Sequence, residues 1–114
     1  MEWILHKSTH ILFTNFSGLD PKSMISLLNT SFMEVEKSDG NVKLLANYEE
    51  TNVGSNFIKA YTDWGKKIKV KVDRNAVYGL NFAKRVMLKT FNKVNNLDIR
   101  VFDTREEALE YLTN

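Results

Sequence analysis

"NVKLLANYEETNVGSNF", residues 41–57, is the stretch on which the fold turns. Its first part, Val42–Tyr48, carries the run Leu44-Leu45-Ala46, which suits a strand covered on both faces. A polar loop follows from Glu49. A helix then begins, with Phe57, Tyr61, Trp64 and Ile68 recurring along one side. Strand, loop and helix in that order make the first half of a parallel crossover unit.

Working outward, the same alternation recurs. Upstream, Glu2–His6 and His10–Phe16 are two candidate strands separated by a short polar turn, close enough for an antiparallel hairpin. In "GLDPKSM", Asp20 can cap a helix whose first turn accepts Pro21, because that position needs no backbone donor. Ile25, Leu28, Phe32 and Val35 form its apolar stripe, and Asp39-Gly40 turns the chain. Met33 falls off that stripe and is a candidate contact for a homodimer.

Downstream, "IKVKV" (Ile68–Val72) has two readings. It alternates as a half-buried strand does, yet Ile68 and Val72 also continue the helical stripe from Trp64. A brief strand, Ala76–Tyr78, ends at Gly79. Leu80–Asn95 reads as a helix with Ala83, Val86, Met87, Phe91 and Val94 inward and Arg85, Lys89 and Lys93 outward. Ile99–Phe102 is a strand. Thr104 and Glu107 form a capping box for a last helix that packs through Ala108, Leu109 and Leu112. The order β-β-α-β-α-β-α-β-α predicts a single α/β domain over residues 1–114. Its sheet is mixed and mostly parallel, with four or five strands and about four helices.

Composition narrows the function. With 43% hydrophobic and 26% charged residues among 114, one core can stand without a metal or disulfide staple. Sixteen basic and fourteen acidic residues leave a formal charge of +2, too small a footprint to expect nucleic acid as a partner. There is no cysteine, which excludes disulfides, thiolate chemistry and cysteine-held clusters. The opening MEWILHKSTH lacks the basic start and apolar stretch of a signal peptide, and no window approaches the roughly 18 apolar residues of a membrane span. The expected location is the cytoplasm.

No catalytic signature emerges. Five glycines never form a phosphate-binding loop, and "VGSNF" lacks the second glycine of a nucleophile elbow. His6 and His10 straddle the predicted hairpin turn and have no third ligand nearby, so no metal site is expected. The basic run Lys66, Lys67, Lys69, Lys71 and Arg74 reads as a solvated face. The expectation is a protein that is not an enzyme and holds no cofactor.

The order of elements, with "ILFTNFSGLD" near the start and "VFDTREEALEYL" at the end, resembles the SpoIIAA-like family. These are small bacterial proteins related to STAS domains and grouped with the SEC14-like lipid-binding fold. Phe16-Ser17-Gly18, Gly79-Leu80, Phe102-Asp103-Thr104 and Glu107-Ala108-Leu109 carry the resemblance most specifically. It implies that Ile68–Lys71 belongs to a helix end. It also implies a regulatory module that binds a protein partner, because STAS relatives carry a phosphorylated serine at the start of the helix after a central strand. Ser55 occupies the comparable place. The relatives' motif looks like Asp-Ser-Ser-Gly, whereas this chain has Asn52-Val53-Gly54-Ser55.

Two candidate sites follow. The first is a partner-binding and phosphorylation loop of Glu49, Glu50, Asn52 and Ser55. Ser55 reads first as a helix N-cap, worth about 1 kcal/mol. Alternatively, a phosphate of about −1.5 to −2 charge would meet free N–H groups at the helix N-terminus, opposed by Glu49 and Glu50. The second is an apolar face of Phe57, Tyr61 and Trp64, read first as core. By the SEC14-like resemblance it is the wall of a pocket in a small carrier or sensor of a lipid-like ligand.

Overall fold

Two residues, Lys7 and Ser8, reverse the chain between its first two strands, both with positive φ (48° and 65°). This is the backbone a two-residue hairpin requires if its twist is to match the strands. It joins β1 (Glu2–His6) to β2 (Thr9–Asn15) in antiparallel register, Ile4 opposite Ile11. The computed structural model describes residues 1–114 and continues with α1 (Pro21–Lys37), β3 (Val42–Asn47) and α2 (Ser55–Ile68). A 3-10 turn (Lys69–Lys71) leads to β4 (Val72–Tyr78), α3 (Phe82–Asn95), β5 (Ile99–Phe102) and α4 (Arg105–Thr113). The predicted α/β order and the mixed sheet are as the sequence implied.

The five strands lie side by side in chain order, β1-β2-β3-β4-β5, and all pairs after the hairpin are parallel. Each crossover therefore steps one strand in the same direction. Because such connections are right-handed, α1, α2 and α3 all fall on one face. The strand residues sort accordingly. Leu12, Leu44, Val77 and Ile99 point to a core shared with Met24, Leu28, Phe32, Val35, Phe57 and Ile68. Ile11, Phe13, Leu45, Ala76 and Tyr78 point to the other face, where α4 covers them with Ala108, Leu109 and Leu112.

Polar groups inside the first core are paired. Thr14 Oγ1 donates to Ser31 Oγ at 2.8 Å, tying β2 to α1, and both residues are buried. Asn75 shares its row across the sheet with Leu44 and Ile99, and its Nδ2 donates to the Tyr61 hydroxyl at 2.9 Å. Helix ends follow the local chemistry. Asp20 Oδ1 accepts from Ser23 N (2.7 Å) ahead of Pro21, and Thr104 Oγ1 accepts from Glu107 N (3.2 Å).

Around β4 the structure refines the expectations. β4 is seven residues long, not the three of Ala76–Tyr78. Asp73, Arg74 and Asn75 have weak strand propensity, but each is held by a specific partner: Lys43, the Tyr111 carbonyl and Tyr61. The "IKVKV" stretch follows the helix-end reading through Lys71, with helix to Ile68 and a 3-10 turn after it, and becomes strand at Val72. The basic run is only partly a solvated face. Lys71 Nζ donates to the carbonyls of Glu36 and Ser38 at the end of α1, and Arg74 to that of Tyr111 near the end of α4, so two of its cations cap orphan carbonyls.

The inward face of α3 is the largest departure. The helix buries no residue completely, and Ala83, Val86, Met87 and Val94 are exposed rather than inward. Of the expected inward residues Phe91 does pack on the core, and Leu88 joins it there.

Candidate functional site

The loop after β3 is pinned from beneath. Asn47 Oδ1 accepts from Glu49 N (2.8 Å), Thr51 Oγ1 donates to the Tyr48 carbonyl (2.6 Å), and Gly18 N donates to the Glu49 carbonyl (3.2 Å). Glu49, Glu50, Asn52 and Ser55 are all exposed on this fixed base. Ser55 is not the N-cap. Gly54 holds that position with extended backbone, and no side chain bonds the first-turn N–H groups of α2. Ser55 is the first helical residue, so the capping role read from the sequence falls away.

The three aromatics of α2 diverge. Phe57 is buried and meets Phe16 and Tyr48 edge-on at 5.5 and 6.0 Å. Tyr61 is half-buried, with its ring 5.7 Å from Phe91 and 5.1 Å from Phe32. Trp64 turns toward α1, where its Nε1 donates to Asn29 Oδ1 (2.8 Å) and its ring packs on Phe32. Phe57 and Tyr61 therefore face a common space, and Trp64 does not.

That space is a cleft of about 620 Å³ between α2 and α3. Val53, Phe57, Ile58 and Tyr61 form one wall; Leu80, Val86, Met87, Leu88, Phe91 and Val94 form the other; Tyr48, Val77 and Ile99 lie between. Thirteen of its seventeen lining residues are apolar, which fits an apolar ligand rather than a polar substrate. Burial pushes the Tyr48 phenol well above its ordinary value. It also pushes the Tyr61 phenol up to about 12, against the opposing bond from Asn75. Both stay neutral at physiological pH, so neither puts a charge in the cleft.

The sequence reading missed the α3 wall, although a signal was present. Val86, Met87 and Leu88 are consecutive, and three successive residues of an α-helix span too wide an arc to face one core. Elsewhere, His6 and His10 pair with Thr9 and Leu5 in the hairpin, and no three metal-ligating side chains come together.

A model of the SpoIIAA-like family matches residues 12–113, from β2 through α4. The chain belongs to the SpoIIAA-like family. No curated protein and no solved structure matches it. Membership supports, in general terms, a regulatory module that works through protein interactions. No helix of this SpoIIAA-like domain is long and apolar enough to cross a membrane. Gly79-Leu80, two of the residues on which the resemblance rested, sit where β4 leaves the sheet beside Glu49, and Leu80 lines the cleft.

Proposed function

We propose that this SpoIIAA-like domain is a non-enzymatic binding module whose α2–α3 cleft takes an apolar small molecule and reports its presence to a protein partner at the loop Glu49–Ser55. The observation that carries this is the exposure of Val86 (51%), Met87 (44%) and Val94 (77%) along an apolar cleft. Apolar side chains left in water beside a concave apolar wall gain by being covered. Val53 joins cleft to loop: its side chain lines the cleft, and its carbonyl accepts from Lys84 Nζ (2.9 Å).

The test is a paired substitution, Val86→Glu with Met87→Glu, read by Nile red fluorescence. Both positions are exposed, so stability should change by no more than about 0.5 kcal/mol. Carboxylates on the cleft wall should weaken dye binding about tenfold or more, since an apolar occupant would desolvate them. Equal binding by wild type and variant, or none by either, would sink the reading.

A second reading concerns the partner surface. Ser55 is exposed at the first position of α2, and its neighbouring N–H groups have no side-chain acceptor, an arrangement that suits a phosphate. In copurification from the native cell, a stoichiometric partner is expected with wild type and Ser55→Ala but not with Ser55→Glu. The same recovery for all three would remove Ser55 as a switch.

A further inference from the structure

The cleft has one charged residue among its seventeen, Lys84. Lys84 is half-buried as a residue, and no carboxylate lies within 4.0 Å of its ammonium, while the five ion pairs of the domain use other cations. The neighbouring Arg85, by contrast, is committed to Asp103 (2.6 Å) and the Leu80 carbonyl. Lys84 Nζ has three donors, and the only acceptor it meets is the neutral carbonyl of Val53. A cation at the edge of an apolar cleft with no carboxylate beside it favours an anion there. Lys84 also lies in the first turn of α3, where the helix dipole adds to the positive field.

Leu88, Phe91 and Val94 continue from Lys84 along α3 and line the same cleft. At 1.5 Å per residue, Lys84 to Val94 covers roughly 15 Å of apolar wall. We infer that the ligand is an anionic amphiphile, a long-chain monocarboxylate, held with its head at Lys84 and its tail along α3. This rests on the apolar-cleft reading above and adds to it the charge and direction of the occupant.

The probes are dodecanoate, below its micelle-forming concentration, and the neutral dodecanol, each displacing Nile red from the wild type, Lys84→Met and Lys84→Arg. Wild type should prefer the carboxylate by about tenfold or more. Lys84→Met should lose that preference while keeping its dodecanol affinity, which also shows that the cleft is intact. Lys84→Arg should retain it. If wild type binds both probes equally, or Lys84→Met keeps the preference, the inference fails and the apolar-cleft reading stands. If neither probe displaces the dye, both fail.

Discussion

Gly79→Ala should destabilise this domain by about 3–4 kcal/mol, through backbone strain and a clash acting together. Gly79 has φ +87°, where an L side chain is strained in open space. The space is also closed. A Cβ there would lie 2.6 Å from Glu49 N, 2.7 Å from Glu49 Cγ and 3.0 Å from Asn47 Oδ1. The backbone at Glu49 cannot easily retreat, because its N–H donates to Asn47 and its carbonyl accepts from Gly18 N. Gly18→Ala is the control: φ is +70°, but nothing lies within 4 Å of its added Cβ, so only the strain, about 1–2 kcal/mol, remains. Thermal unfolding should show a fall of roughly 15 °C for Gly79→Ala and a fraction of that for Gly18→Ala. Equal losses would mean that the approach of Gly79 to Glu49 carries no packing strain.

Hydrogen exchange should find α3 the least protected of the three helices on its face. Helix α1 buries Met24, Leu28, Ser31, Phe32 and Val35, whereas α3 buries none of its residues completely. Local opening of α3 therefore exposes less apolar surface and should cost less, giving exchange about 100-fold faster than in the middle of α1. Occupying the cleft should reverse this selectively. A ligand at about 100 times its dissociation constant adds roughly 2.7 kcal/mol against any opening that destroys the site, again about 100-fold in rate. Uniform protection of α1 and α3 in the free protein would contradict this account of α3.

The sequence exposed the fold more fully than the site, for a physical reason. Periodicity reports which residues leave water, and in α1, β2, β3 and α4 those residues enter one of the two cores, so spacing and caps such as Asp20 and Thr104 were enough. Along α3 the same apolar signal marks a wall facing a cleft, and only the run Val86-Met87-Leu88, too wide an arc for one core, sets it apart from a helix that is fully packed. Ser55 was misplaced by one position because capping depends on backbone dihedrals, and Gly54 adopts the extended geometry there. Asp73, Arg74 and Asn75 concealed most of β4, since their partners lie far away in sequence, at Lys43, Tyr111 and Tyr61. Helical spacing puts Phe57, Tyr61 and Trp64 on one face, but Trp64 points to Asn29 while Phe57 and Tyr61 line the cleft.

The winding of the sheet bears on how the chain is made. Every strand pairs with its neighbour in sequence, so on the ribosome each new β-strand meets an edge already formed, and α1, α2 and α3 can dock in turn as they emerge. The opposite face is covered by α4, which follows β5 in the chain. Until Leu109 and Leu112 arrive, Ile11, Phe13, Leu45, Ala76 and Tyr78 form an apolar surface with no cover. A chain that folds in this order has one side of the sheet finished while the other is open to chaperones and to like chains, until the nine residues of α4 come down on it.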